Sequence, residues 1–490
     1  PLWLKIQKEE IQMRNLKRAL SLALAAIMLI GMMVVSACAV SYNDLTDKDQ
    51  IVNKDAVSML VSLGIIEGKP DGSYAPTENV DRAQMAKMLS VIMNKGVDNS
   101  ALYQSVNSGL TDITSNWAKG HINYCYTTGI IAGRGNGKFD PSATVTALEA
   151  AKMLLVAVGY DPKIEGFEGA DWAINVSVRA DEQGIFEGFT KDLSAPLNRD
   201  DAALLIYNAL DVEMIQSYTT NNYPIVYSDH RTILSDKYGV IKVEGVVTAN
   251  EWAILDDDTD TALQEGKTRI YNPDGILSTT GNTAVAQDSS ANVKTQVFNV
   301  STPVDMLGKA VTMYVKKTTI LADSTVYGAP VVSDVNTVIE TGEKVTGGDS
   351  KDDDSLAALL KGTGLATDKA TEYYHNYEEV AIDSADVDDI MNVKGAALTV
   401  IDNDNDGYVN YVISVEKSLT HVSGVSSKNE TTTLYGLPGD DVIDNEDIVT
   451  TATDLTKGDV VLVVQYGGRT YVEEPKTVAG EMELFNAKNK

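Results

Sequence analysis

Apolar residues change their rhythm partway along the chain. Up to about residue 212 they recur at intervals of three and four, the spacing of a helix face. Val52, Ala56, Leu60 and Leu63 share one such face, and Gly64 follows where a helix would close on a left-handed residue. A second helix is predicted from Asp81, with Ala86, Leu89 and Met93 continuing its buried stripe. Beyond residue 212 the period falls to two. Val240, Val243, Val246 and Val247, then 307–315, 397–401 and 460–466, read as β-strands separated by Gly, Asn and Asp turns. The segment 466–471 reads as a hairpin. Lys242-Val243-Glu244-Gly245-Val246 and His421-Val422-Ser423-Gly424-Val425 form a weak internal repeat.

The helical half contains a stronger repeat. Gly64-Ile65-Ile66-Glu67-Gly68 returns as Gly129-Ile130-Ile131-Ala132-Gly133 and as Gly184-Ile185-Phe186-Glu187-Gly188. Twelve residues after each first glycine stands Pro76, Pro141 or Pro196, and twelve before it stands Val52, Trp117 or Trp172. A turn with an aromatic residue precedes the proline in two copies, Asp71-Gly72-Ser73-Tyr74 and Asn136-Gly137-Lys138-Phe139; the third is degenerate at Lys191-Asp192-Leu193. The second helix of each copy opens on a side-chain cap: Asp81-Arg82-Ala83-Gln84, Thr146-Ala147-Leu148-Glu149 and Asn198-Arg199-Asp200-Asp201. Gln84 and Glu149 complete a reciprocal capping box, and Asp201 is a shorter substitute.

A formal charge of −30 argues against nucleic-acid binding and suits a surface exposed to divalent cations. Residues 13–39 have the order of a secretory signal: basic Arg14, Lys17 and Arg18, an apolar run from Ala19 to Val35, and Ala37-Cys38-Ala39 as the cleavage pattern. A membrane span and a lipoprotein signal at Val35-Ser36-Ala37-Cys38 rank below cleavage after Ala39. Translation is expected to start at Met13, with 1–12 an untranslated leader. Losing 1–39 removes five cations and two acids and leaves a mature charge of −33. Cys125 is then the sole cysteine, so no intrachain disulfide forms, and its apolar helical setting suggests a buried thiol.

The three copies resemble the S-layer-homology (SLH) family, through the Gly-Ile-Ile-x-Gly loop, the Gly-x-aromatic-x-Pro turn and the helix-start motif that members write Thr-Arg-Ala-Glu. The resemblance covers 40 to about 212. It implies a pseudo-threefold helical module whose grooves bind secondary cell-wall polysaccharide, often pyruvylated, on a Gram-positive-type wall. A helix start and an arginine at its first position suit a carboxylate. Candidate polysaccharide-binding residues are therefore Arg82 and Arg199, with Asp81, Gln84, Trp117 and Trp172; core packing is the favoured role of the two tryptophans. Ala147 replaces the arginine in copy two, whose groove is expected to be weak. Copy three is three residues short between Pro196 and Arg199, which leaves one or two working grooves.

The fold class expected is multidomain α + β: leader and signal 1–39, repeats 40–98, 99–160 and 161–212, a β-rich domain 213–332, an irregular insertion or linker 333–389, and a β-rich domain 390–490. Lys351-Asp352-Asp353-Asp354 would cap a short helix at 356–360. Asp402, Asp404 and Asp406 before Gly407, with the Tyr408 carbonyl and the Asn410 side chain, have Ca²⁺-loop spacing, but Ile413 stands where an EF-hand needs Glu. A structural Ca²⁺ loop at a hairpin tip and an acidic solvated turn stand as equal readings. Asp256-Asp257-Asp258 and Asp440-Asp441 read as turns. Zincin, phosphate-loop and lipase motifs are absent, and His121, His230, His375 and His421 share no ligand spacing. The expectation is a non-enzymatic surface protein, anchored non-covalently and able to self-associate in a lattice. An SLH-tethered enzyme or adhesin is the alternative. A strand-like run at Glu481–Phe485, close to the last residue, leaves room for a truncated chain.

Overall fold

A computed structural model describes residues 42–255, 262–273, 275–276, 294–316, 324–342, 356–380, 396–437, 441–450 and 454–475. The expected leader, signal and lipobox, the capping segment 351–354, the turn residues 256–258 and 440 and the final run 481–485 lie outside them. Two compact units meet in sequence between Val212 and Glu213.

The first unit is built from α1 (Lys54–Ser62), α2 (Arg82–Met93), α3 (Lys119–Thr127), α4 (Ala147–Val158), α5 (Trp172–Glu182) and α6 (Arg199–Leu210). Each sequence copy supplies two of them. The first helix of each copy ends at a left-handed glycine, Gly64, Gly129 or Gly184, with φ of 69°, 80° and 68°. The next amide then reaches back to close the turn: Ile65 to Leu60, Ile130 to Cys125 and Ile185 to Ala180. Asp81 and Thr146 form reciprocal capping boxes with Gln84 and Glu149. Asn198 accepts from the Asp201 amide, but Asp201 does not return the bond and instead pairs with Lys191 at 2.5 Å. Each cap contributes about 1 kcal/mol. Met59, Leu60, Met85, Leu89 and Leu155 are fully enclosed, and burial of such a side chain contributes roughly 1.5–3 kcal/mol.

Val52 departs from the expected helix face. It is 81% exposed and precedes α1, because the buried Asp200 carboxylate accepts from the Asn53 amide and fixes the helix start one residue later.

The helix pairs join in a cycle. α2 packs on α3, α4 on α5, and α6 returns to α1. At the centre, the residue before each cap forms one backbone bond to the next copy. The Val145 amide donates to the Val80 carbonyl, Leu197 to Val145, and Val80 to Leu197.

In the second unit the sheets are strand-rich and short. β1 (Ile215–Tyr218) and β2 (Pro224–Val226) form a hairpin. β3 (Val240–Asn250), β4 (Thr268–Tyr271), β5 (Thr295–Phe298), β6 (Ala310–Lys316) and β7 (Val326–Val332) make a sheet ordered β5-β4-β3-β6-β7. β8 (Thr337–Glu340), helix α7 (Leu356–Leu360), β9 (Glu372–His375), β10 (Glu378–Glu379), β11 (Ala396–Asp402) and β12 (Tyr411–Glu416) follow, with strand order β10-β9-β12-β11-β8. The last sheet contains β13 (Ser418–Ser426), β14 (Thr431–Leu434), β15 (Val442–Asp444), β16 (Ile448–Thr450), β17 (Val460–Tyr466) and β18 (Arg469–Glu473), in the order β15-β14-β13-β17-β18-β16.

The weakly repeated strands β3 and β13 hold corresponding central places, each flanked by its hairpin partner and a later strand. Gly245 in β3 is required by close approach, since a Cβ there would stand 2.6 Å from both Ile270 and the Tyr271 carbonyl. The stretch 333–389, expected to be insertion or linker, instead supplies β8, β9 and β10 to the sheet of β11 and β12 and packs α7 against it. Nor do 213–332 and 390–490 have separate cores: Val243, Ile270, Phe298 and Met313 pack with Tyr374, Ile401 and Ile413. Leu356 and Leu360 of α7 cover Leu398, Val400 and Val412.

Candidate functional site

Two grooves of the helical unit are built to one plan. Groove one has a cavity of about 260 Å³ and groove two one of about 360 Å³. Groove one is lined by the copy-one loop around Lys69, by Gln84, Lys87 and Met88 of α2, by Trp117 of copy two and by Arg199 of copy three. Groove two repeats this one copy further on, with Arg134, then Glu149, Lys152 and Met153 of α4, then Trp172 and Arg82. Each groove therefore draws on all three copies, and the helix-start arginine serves the groove of the following copy.

This geometry reassigns the weak groove. Ala147 does not border the copy-two loop; by the same relation it belongs with the loop of copy three. There the corresponding positions are Phe189 for the loop cation, Leu204 for the helix lysine, Val52 for the tryptophan and Ala147 for the arginine. The cavity near that loop, lined by Phe186, Phe189, Lys191 and Leu193, includes none of the other three.

The two arginines sit differently. Arg82 is 4% exposed. Its Nε donates to the Phe139 carbonyl at 2.9 Å and an Nη to the Ala132 carbonyl at 2.8 Å, with the guanidinium over the Phe139 ring at 4.4 Å. Burial, and then the neighbouring Arg134, pull its pKa down to about 10. Arg82 is thus chiefly a strut that holds the copy-two loop, although one edge borders groove two. Arg199 is half-buried. Its Nε donates to the Tyr74 carbonyl at 2.7 Å, and the Tyr74 hydroxyl donates back to the Arg199 carbonyl at 2.6 Å. No carboxylate among the described residues pairs with its guanidinium, in a chain with 70 acidic and 40 basic side chains.

The accepting carbonyls are held in place. Ala75 and Asp140 have φ of 58° and 60° just before proline. Asp47 accepts from the Tyr74 and Ala75 amides, and Asp112 from those of Phe139 and Asp140. These two aspartates were not singled out from sequence. Their signal was the equal offset from the aromatic-x-Pro turn in copies one and two.

Around the arginines, Lys87 pairs with Glu67 at 3.0 Å and Lys69 with Glu78 at 2.5 Å. In groove two Arg134 pairs with Glu149 at 2.6 Å. Lys152 donates to the Phe167 carbonyl at 2.6 Å and stands 5.6 Å over Trp172; burial lowers its pKa. Trp117 is 57% exposed, so it is not the packing residue that sequence favoured. Asp81 is committed to capping α2, whereas Gln84 both caps and lines groove one. Cys125 is fully buried and free.

The acidic loop joins β11 to β12 and is the expected hairpin tip. Ligand oxygens of Asp402, Asp404 and Asp406 lie within 4.8 Å of one another. Asp402 is buried and accepts from the Asn405 and Gly407 amides at 2.8 and 3.1 Å. Burial, then Asp406 and Asp402, raise the Asp404 pKa. The Asn410 side-chain oxygen accepts from the Asn403 amide at 2.6 Å, so one of its two lone pairs is committed. Tyr408 donates its amide to Asp406 at 2.7 Å.

The S-layer homology domain family matches residues 41–86 and 109–151, within copies one and two. A cell surface protein of Thermoanaerobacter kivui is 26% identical over 394 residues, 80% of this chain and 44% of that protein. An S-layer protein of Bacillus licheniformis is 33% identical over 113 residues, 23% of this chain and 12% of that protein. The exoglucanase XynX of Acetivibrio thermocellus is 27% identical over 188 residues, 35% of this chain and 16% of the enzyme. The chain therefore spans less than half the length of these relatives. No helix among the described residues is long and apolar enough to cross a membrane.

Proposed function

We propose that this chain, an SLH-containing bacterial surface protein of the secreted cell-wall type, anchors itself non-covalently to an anionic, pyruvylated secondary cell-wall polysaccharide. Three SLH repeats close into a pseudo-threefold module, and the β-rich unit is displayed as surface structure that self-associates in a lattice. The cyclic packing and the central bonds between copies support the threefold reading.

One observation carries the anionic ligand. Among the described residues no carboxylate pairs with Arg199 in groove one, which leaves its guanidinium available to an anionic ligand. A ketal carboxylate matches a guanidinium fork in geometry and charge. Trp117 offers a flat apolar face to the sugar ring. Groove two offers the same elements, but its Arg82 is buried and bonded to two carbonyls whereas Arg199 is half-buried and bonded to one, so groove one binds more tightly.

The test is retention of the purified chain on cell-wall sacculi, with and without chemical removal of the non-peptidoglycan polymer. Retention should need the polymer and should fall at least tenfold in Arg199→Ala and in Trp117→Ala. Retention on stripped sacculi, or retention unchanged in both variants, would overturn this reading.

A tethered enzyme is the second reading, because the exoglucanase match is confined to 188 residues, a size that fits a shared anchor. Ca²⁺ is proposed as a structural ion at the β11–β12 tip. The three clustered carboxylates fit an oxygen-only site, and a cation would relieve the mutual repulsion around Asp404.

A further inference from the structure

The last sheet packs one face and leaves much of the other bare. Val422, Val461, Val463 and Val472 form a core on the packed face. Side chains alternate along a strand, so their neighbours look the opposite way. Directly paired residues share a face, and the register sets Leu419 beside Leu462 and His421 beside Val460 on that second face. One end of it is covered. Val464 is buried and paired with Tyr471, and Trp252 and Tyr377, from the segments after β3 and β9, stand against Tyr471 and Tyr466.

Beyond that cover, Leu419 and Val460 are 66% and 52% exposed. Tyr435, 65% exposed, is fixed alongside. Its amide donates to the His421 carbonyl at 3.1 Å, the Thr420 hydroxyl donates to its carbonyl, and its ring stacks on His421 at 5.0 Å. Large apolar side chains exposed together on one sheet face mark a surface that packs against something.

The chain supplies a cover of its own. β18 brings it back to this face, because Glu473 stands directly opposite Leu462. Residues 476–490 follow, outside the described residues, and contain Glu481-Met482-Glu483-Leu484-Phe485. In an extended run Met482 and Leu484 share one side and the two glutamates the other. The seven residues from Pro475 to Met482 span about 23 Å when extended. Leu419 lies two strand spacings from β18, about 10 Å, well within that reach. A second copy would lose translational freedom and bring one strongly acidic chain against another. A tethered segment acts instead at an effective concentration on the order of millimolar.

We propose that Met482, Leu484 and Phe485 dock on the bare face of this sheet, against Leu419, Val460 and Tyr435, so that the tail closes the second unit and keeps the face from other copies.

Disulfide trapping tests this in the full chain carrying Cys38→Ser, with Cys125 enclosed in the helical unit. Leu419→Cys combined with Leu484→Cys should close within one chain, under diamide, at least about tenfold faster than Lys457→Cys combined with Leu484→Cys. Lys457 is exposed in the turn before β17 and serves as the comparison off the apolar face. Separately, Met482→Asp with Leu484→Asp should uncover the face and raise binding of the apolar dye ANS at least about twofold. Equal closure rates for the two cysteine pairs would overturn the proposal, as would dye binding that the aspartates leave unchanged. Disulfide-linked dimers in place of the closed monomer would also overturn it and would assign the face to a second copy.

Discussion

Arg82 and Arg199 occupy the same position in their repeats, yet Arg82→Ala should act mainly on stability. The wild-type side chain makes two charge-assisted bonds to carbonyls, at 2.9 and 2.8 Å, and lies 4.4 Å over Phe139. Each such bond contributes about 1.5–3 kcal/mol. Alanine removes both and leaves two carbonyls for water to reach through groove two. A loss of roughly 3 kcal/mol is expected, at the low end of the sum because the groove admits solvent. For a unit of this size that lowers the midpoint by about 6–12 °C. Thermal unfolding followed at 222 nm is the assay, because every described helix of eight or more residues lies in the first unit. Arg199→Ala is the comparison: it should unfold within a few degrees of wild type while losing polysaccharide. If Arg82→Ala keeps its midpoint within about 2 °C and still loses binding, Arg82 is a ligand and the strut argument fails.

Three further outcomes follow from the geometry. Burial holds the His121 pKa below 6.5, despite Asp98 and with Lys87 adding to the depression; the unfolded chain therefore binds a proton first as pH falls, so stability present above pH 6.5 should decline below it. His121→Gln, which keeps a partner for Ser90 at 2.6 Å in the wild type, should flatten that decline between pH 7 and 5 in urea melts, and an unchanged slope would assign it to other groups. Ca²⁺ at millimolar concentration should raise the melting midpoint of the β-rich unit relative to EDTA, Asp404→Asn should erase the difference, and equal midpoints in wild type would remove the ion. Cys125, with burial raising its thiol pKa, should resist maleimide until the helical unit unfolds; rapid native labelling would mean that the α2–α3 seam opens.

What the sequence disclosed depended on how local each signal was. The caps at Asp81, Thr146 and Asn198 and the closing glycines are set within one turn of chain, and all were legible. The grooves were not, because each is assembled from three copies and the offset between copies is fixed only by packing. Hence Ala147 was read against its own loop instead of the next one. Arg82 and Arg199 carry the same motif and differ only in what encloses them. In the second unit, long alternating strands such as β3 and β17 were readable. β8, β9 and β10 were not, being four residues or fewer, and β9 pairs in parallel with a strand some forty positions on. Tyr374 and Glu372 gave no signal before that pairing placed them beside Tyr411.

The three central bonds linking Val80, Val145 and Leu197 have a consequence for how this unit can evolve and fail. Open stacks of repeats have two ends, tolerate added or deleted units and fray from their caps. A closed circuit has no first or last member. Deleting one copy would break two seams and leave two mismatched faces, and inserting a fourth would leave a gap that three-way geometry cannot span. Copy number is therefore locked by the circuit. The same closure ties copy three to the other two grooves, which are lined by the Arg199 and Trp172 that it contributes.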